Sequence, residues 1–320
     1  MKVLVTGGAG YIGSILVTRL IEQGYKVNVI DDLSTGHIEN IDPRAQFYFG
    51  SVLDTKILNF ALQDCIVVFH FAAKSIVSES VLKPQLYEEV NYFGTIKILD
   101  GMKANKVTQI IIASTAAVYK GGSKEGLTEE SLIEPENPYG VSKLKADNYL
   151  SGFCKEFGIA GITFRFFNVS APYKSKALGW IIENHAPETH LIPNIINSRH
   201  HGQLSIYGND WDTPDGTCIR DYLHIKDLTD ACLTAVKHLR FNENQIFNLG
   251  TSKGNSILEV IASYEKIFDA RVEYEFTNKR NGDVDLLVAN ARKFSSETGW
   301  RNRLNLSDIF NDYRLSLLSK

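Results

Sequence analysis

Cysteine is scarce in this chain: four in 320 residues, at Cys65, Cys154, Cys218 and Cys232. No two are spaced as Cys-x-x-Cys, so neither a zinc knot nor a disulfide framework is on offer, and a reducing, cytoplasmic compartment is expected. No apolar run is long enough to cross a bilayer. The first residues, Met1 to Thr6, read as a core strand and not as a leader. An excess of one charge is also lacking. With 34 Lys and Arg against 37 Asp and Glu the net charge is −3 and the pI about 6.3, which gives no footing for nucleic acid or an anionic membrane. Histidines such as His70 and His224 stand outside any metal-ligand spacing and read as structural, so no metal is expected. Repeats and low-complexity tracts are missing as well. What remains is a 44 % hydrophobic chain, enough for one large or two modest cores.

The chain opens on a short apolar run, Lys2 to Thr6 (KVLVT), then glycines, then an amphipathic stretch from Ser14 to Gln23. The order is strand, glycine turn, helix. Gly7, Gly8, Gly10 and Gly13 fit the spacing that lets a backbone turn tightly and bring a pyrophosphate to a helix N-terminus. A second run, Lys26 to Ile30, ends in Asp31-Asp32. An acid there can bind both hydroxyls of an adenosine ribose and would repel the extra phosphate of NADP, so NAD is the expected cofactor.

Strand-like runs recur at Gln46–Phe49, Ile66–Phe71, Gln109–Ala113 and Ile159–Phe166, with helical patterns between several of them. This is the signature of an α/β fold with a doubly wound parallel sheet. Ligands in such sheets sit beyond the carboxyl ends of the strands. Three segments meet that condition: His70 to Ala73, Ala113 to Tyr119, and Arg165 to Asn168. The small Ala72 and Ala73 would let backbone approach a cofactor, and Ser114 and Thr115 would present hydroxyls to a substrate.

Asn137-Pro138-Tyr139-Gly140-Val141-Ser142-Lys143 carries the chemistry. Pro138 fits the first turn of a helix. Tyr139 and Lys143 are then i and i+4, on one face. A cation one turn from a phenol favours the phenolate and lowers its pKa from near 10, toward a base that works near neutrality.

The glycine turn, the Ser114-Thr115 segment and Tyr139-x-x-x-Lys143 resemble the extended short-chain dehydrogenase/reductases. Further blocks are similar to the UDP-glucose 4-epimerase family within them: Ser78-Glu79-Ser80, Leu204 to Asp227, Phe247 to Ser256, and Arg280-Asn281-Gly282-Asp283. The resemblance spans nearly the whole chain. It implies a redox-neutral inversion of sugar carbon 4 through a 4-ketone, with NAD retained. In it Tyr139 is the base and Thr115 hydrogen-bonds the reacting oxygen. Lys143 holds the nicotinamide ribose and tunes Tyr139. Tyr11, Ile12, Phe71, Asn91 and Phe167 stand among the implied cofactor contacts. Arg220 and Arg280 match the diphosphate and nucleotide contacts, and Asn168 adds an amide. Asp283 takes the uridine ribose, Tyr207 covers uracil, and His190, Leu191 and Tyr222 complete the substrate set. Leu287, four residues past Asp283, falls where the family borders the carbon 2 substituent, so N-acetylated sugars are expected to be poor substrates.

There are departures. Ser51 stands where many relatives carry an Asp that meets adenine. Lys74 comes one place early and Ser75 fills its site. Phe166 replaces a common Tyr, and His190 a common Asn. Other readings are a 4-epimerase of UDP-N-acetylglucosamine or a UDP-pentose, a nucleotide-sugar dehydratase or decarboxylase, and a non-catalytic NAD-binding regulator. Dehydratases and decarboxylases carry an acid just after the Thr, where this chain has Ala116 and Ala117. A regulator would commonly lack the Tyr or Lys. Residues 1–168 are expected to form the NAD-binding Rossmann-like domain, with parts of 223–250 returning to it. Residues 169–320 are expected to form a smaller α/β UDP-sugar-binding domain. Pro84–Ala104 and Tyr139–Glu156 read as long amphipathic helices, which in the family build a four-helix interface, so a homodimer is expected.

Overall fold

The computed structural model describes residues 1–319 except 123–124, 186–187 and 281; of 199–201 it describes the backbone alone. Asn281 of the Arg280–Asp283 block therefore lies outside the described residues. Six apolar runs become strands close to where the pattern puts them: β1 (Lys2–Thr6), β2 (Lys26–Asp31), β3 (Gln46–Phe49), β4 (Val67–His70), β5 (Gln109–Thr115) and β6 (Ala160–Phe166). β1, β4 and β6 are buried almost throughout, as parallel strands covered on both faces must be. The strand Glu243–Leu249 joins them, and the sheet runs in the order Glu243–Leu249, β6, β5, β4, β1, β2, β3. Every pairing in it is parallel.

The chain winds one way from β1 to β3 and the other way from β4 onward. The crevice therefore opens at the carboxyl ends of β1 and β4. One face of the sheet is covered by α1 (Tyr11–Glu22), the Ile225–Ala235 helix and the C-terminal helices. The other face is covered by the helices Thr55–Leu62, Gly94–Ala104 and Pro138–Phe157.

A second, smaller sheet stands across the crevice. Its strand Ile219–His224 pairs with Gly254–Ser256, Leu286–Leu287 and Asn168–Ser170. Asp221 ties this sheet to its loops: its carboxylate accepts from the backbone of Thr251, Ser252 and Ala289. Leu204–Tyr207 and Tyr274–Thr277 form a separate parallel pair.

Two helices differ from their sequence patterns. The apolar periodicity of Asp227–Leu239 predicts a helix over those residues; the helix runs instead over Ile225–Ala235, and its early start follows from His224, which caps it by accepting from the Lys226 backbone N–H. The Pro84–Ala104 pattern is helical throughout, but its middle, Glu88–Phe93, widens into a π-helix. Asn91 lies in that widened turn. Its side chain grips both backbone groups of Lys74, at 2.8 and 3.0 Å.

Candidate active site

The crevice holds a cavity of about 880 Å³ walled by residues of both sheets. Its floor is the glycine turn after β1. Gly7 has φ +70°, and a Cβ there would lie 2.6 Å from the Ala72 backbone nitrogen. A Cβ on Gly13 would meet the Gly7 carbonyl at 2.1 Å. These glycines thus let two backbones and a helix start converge on one point, leaving a concave cradle at the N-terminus of α1. Gly10, Tyr11 and Ile12 line it beside them.

Asp31 closes the turn. Its Oδ2 accepts from the Ala9 N–H at 2.9 Å and its Oδ1 from the Leu33 N–H at 2.8 Å. Burial pushes its carboxyl up, opposed by those N–H groups and by the Lys74 charge. Asp32 lines the wall more openly. Phe71, Ala72 and Ala73 face the cradle from the end of β4, and Phe167 from the end of β6. Lys74, treated above as displaced, still lines the cavity, with its Nζ 3.0 Å from the Ser34 hydroxyl. Asn91 does not line it. It acts from behind, through its grip on the Lys74 backbone and a 3.0 Å hydrogen bond to the Ser142 hydroxyl.

The Pro138–Phe157 helix brings Tyr139 and Lys143 to the cavity wall. Asn137 caps it by accepting from the Gly140 N–H, Pro138 sits in its first turn, and Gly158 ends it in the left-handed region at φ +70°. Tyr139 and Lys143 both line the cavity, as do Ser114 and Thr115 at the end of β5. The Thr115 hydroxyl lies near enough to Tyr139 to draw its pKa down, and the Tyr87 ring meets it edge-on at 6.3 Å.

The expected lowering of the phenol pKa by Lys143 is not what these surroundings produce. Burial pushes Tyr139 up, the Thr115 hydroxyl draws it back, and the Asp147 charge adds to the rise. Lys143 itself is only 3 % exposed, and burial pulls it down to about 8 against the Asp147 charge. Desolvation penalises the charged form of each and is the largest cause of both shifts.

Toward the smaller sheet the wall turns cationic. Arg220, Arg280 and Asp283 line it together. Asp283 lies between the arginines, 3.1 Å from Arg280 Nε and 3.9 Å from Arg220 Nη2. Asn168, Tyr222, His190, Leu191 and Leu287 complete that side. Leu287 is the register partner of Arg220, so it faces the cavity beside a phosphate-type cation. Tyr207 is not in the wall. It is 38 % exposed, and its ring stacks against the Arg280 guanidinium, 4.2 Å from the centroid.

The sequence reading passed over several groups that the fold brings to this site. Glu183 and His185 are two of them: with His190, already placed in the substrate set, they present ligand atoms within 4.8 Å of one another. Burial alone would lower His190, but the Glu188 hydrogen bond and the charges of Glu183 and Glu188 raise it. Asp147, buried one turn beyond Lys143, is another; its i+4 spacing was the available signal. His70 is structural as expected. It lies between the Thr6 and Thr95 hydroxyls at 2.7 and 3.1 Å, and burial holds it neutral, down to about 3.

A parallel sheet with a glycine cradle at its switch point, an acid at the end of β2 and a Thr-Tyr-Lys set define a dinucleotide-dependent enzyme acting on hydroxyl-bearing carbon. The chain belongs to the NAD dependent epimerase/dehydratase family, whose model matches residues 3–250. It is 41 % identical to a UDP-glucose 4-epimerase of Lactobacillus helveticus, over 97 % of this chain and 94 % of that one. Among solved structures it is similar to UDP-glucose 4-epimerase from Bifidobacterium longum in complex with NAD⁺ and UDP, at TM-score 0.92 and 31 % identity, covering 100 % of this chain and 99 % of that one. It is equally close in shape, TM-score 0.92 with 28 % identity, to the Stenotrophomonas maltophila UDP-glucose-4-epimerase with bound NAD and formylated UDP-arabinopyranose, over 100 % and 98 % of the two chains.

Proposed function

We infer that this chain is an isomerase that interconverts UDP-glucose and UDP-galactose at carbon 4, using bound NAD. The observation that carries this reading is the continuity of one cavity from the glycine cradle and Asp31, past Thr115, Tyr139 and Lys143, to Arg220 and Arg280. Relatives along nearly the full chain bear that activity in their names.

The residues present fit NAD. The cradle that a Cβ on Gly7 or Gly13 would fill takes the pyrophosphate, and Asp31 with Asp32 takes the adenosine ribose. Bound NAD supplies a hydride acceptor and donor for carbon 4. Tyr139 accepts the proton of the 4-hydroxyl and returns it after the ketone has presented its other face. Thr115, in the wall with Tyr139, holds that oxygen with its hydroxyl. Lys143 binds the nicotinamide ribose and places a positive charge near Tyr139; the positive ring of the oxidised cofactor acts in the same sense and offsets the burial of the phenol. Arg220 and Arg280 take the diphosphate, for which their planar forks suit. Asn168 and His190 add donors there, and Asp283 takes the uridine ribose. Leu191 and Tyr222 pack the nucleotide, and Tyr207 backs Arg280. Ala116 and Ala117 line the wall after Thr115, so no acid stands there for the second proton transfer of a dehydratase.

A division near residue 168, with parts of 223–250 returning to the NAD-binding side, is consistent with the 243–249 strand lying in the large sheet. A homodimer fits the aromatic ladder on the paired helices, which runs from Phe93 and Tyr92 through Tyr149 and Phe153 to Phe157, with Phe93 48 % exposed. Four free, buried cysteines fit a reducing compartment such as the cytoplasm. Incubating the purified chain with UDP-galactose and separating the products tests the reading: UDP-glucose is expected, and its absence would overturn it.

A further inference from the structure

Behind Lys143 lies a buried polar chain that the reaction as described does not use. Asp147 is fully buried and follows Tyr139 and Lys143 at the next i+4 step, so the three form one stripe on the Pro138–Phe157 helix. Its Oδ2 accepts from the Ser114 hydroxyl at 2.9 Å and from Arg165 Nε at 3.4 Å. Its Oδ1 has no hydrogen-bond partner among the described residues. Arg165, itself only 2 % exposed, donates onward to the Tyr119 hydroxyl at 2.9 Å, which donates to Asn248 Oδ1 at 2.7 Å.

A guanidinium does not lose its proton in a protein, so this buried Arg165 requires an anion, and Asp147 is the acid it contacts. That fixes Asp147 as a carboxylate although burial works against its charge. Its unpartnered oxygen leaves it able to act on a second cation. One helical turn separates it from Lys143, roughly 5–6 Å between Cβ atoms. The titratable groups that act on Lys143 or feel its charge are Asp147 on its own helix and neutral His70 from β4; Tyr139 stands one turn before Lys143 on the same helix. Arg165 and Tyr119 lie behind Asp147, and Tyr87 lies beyond Tyr139.

We propose that Asp147, anchored by Ser114 and Arg165 one turn beyond Lys143, is a positioning residue: the buried counter-charge that keeps Lys143 cationic on the stripe it shares with Tyr139. Burial drives the Lys143 ammonium toward neutrality, and Asp147 is the group that opposes it. Without that carboxylate Lys143 is neutral in the range where the enzyme works, and the phenol loses its neighbouring cation. Ser114 couples the device to the cavity, since its hydroxyl lies in the wall and points back to Asp147. The proposal rests on the role given to Lys143 above.

The test is the pH dependence of UDP-galactose epimerisation by Asp147→Asn, with Asp147→Glu as the charge-keeping control. An opposite charge at this distance shifts a pKa by roughly 1–3 units. Asp147→Asn should therefore move the alkaline limb of kcat down by about 1–2 pH units and cut kcat near pH 8 by about 10-fold, with KM for the UDP-sugar unchanged. Asp147→Glu should bring the limb back. A folded Asp147→Asn protein that retains NAD and shows the unaltered limb overturns the proposal, as does a change in KM alone. If Asp147→Asn strands Arg165 and does not fold, the double change Asp147→Asn with Arg165→Met removes the stranded charge, and the same limb is read on it. Tyr139→Phe and Lys143→Met are measured alongside. Full activity in those two would remove the underlying reading. Loss of activity in them beside an unshifted Asp147→Asn would remove this proposal alone.

Discussion

Tyr139 and Leu287 set the two tests that belong to single residues. If Tyr139 carries the proton, Tyr139→Phe keeps the fold and binds UDP-sugar but loses about 10²–10⁴-fold in kcat, the usual worth of a positioned base. Steady-state kinetics with calorimetric titration of UDP reads both parts; near-normal kcat would remove Tyr139 from the role. Leu287 faces the cavity beside Arg220 but also packs against the small apolar cluster around Tyr119 and Phe167. Leu287→Gly should raise activity on UDP-N-acetylglucosamine by roughly 10-fold or more, since a pocket discriminates by that order per methylene-sized step, while UDP-galactose is spared. Equal use of both sugar pairs by the unaltered enzyme would mean that Leu287 is no gate. At this scale the sequence was informative about identity and poor about environment. The spacing of Tyr139 and Lys143 placed them on one face of a helix, but burial, which no spacing reveals, raised the phenol where a neighbouring cation alone would have lowered it.

Among the elements, the glycine turn and the helix caps are where local sequence dictates local structure. Gly13→Ala places a methyl 2.1 Å from the Gly7 carbonyl, so the turn must open. The expected result is a protein that purifies with little NAD and melts lower; full retention of NAD would show that the cradle tolerates the shift. Asn305 caps the Leu306–Leu318 helix in a reciprocal capping box with Asp308, far from the cavity wall. Asn305→Ala should cost about 0.5–2 kcal/mol in urea unfolding and leave turnover unchanged. The strands were legible because buried parallel strands are short, apolar and bounded by glycine or acid. The π-helix at Glu88–Phe93 was not, because it accompanies Asn91 reaching back to Lys74, a tertiary demand invisible to helical periodicity. Tyr207 is marked for the nucleotide by its block alone; the fold sets its ring against the Arg280 guanidinium, a pairing that no spacing reveals.

For the whole molecule, the two helices bearing the aromatic ladder are also the ones that place Asn91 and Tyr139. The proposed dimer interface and the proposed catalytic residues therefore share one pair of elements. Phe93→Glu, at an exposed position of that ladder, should convert a dimer to a monomer by light scattering at micromolar concentration. A dimer that survives the change would place the interface elsewhere. The two-sheet arrangement puts the glycine cradle, Arg220 and Arg280 in the wall of a single cavity, so the proposed cycle draws on both halves of the chain. The central claim is that this cavity runs a closed redox cycle on a UDP-sugar. Its most direct measurement is to give the purified chain UDP-galactose with no added nucleotide and to follow both the sugar products and absorbance of reduced cofactor. The account predicts UDP-glucose forming to a fixed equilibrium ratio, with no reduced cofactor released. Failure to form UDP-glucose, or stoichiometric build-up of reduced cofactor or of a dehydrated keto-sugar, would contradict it.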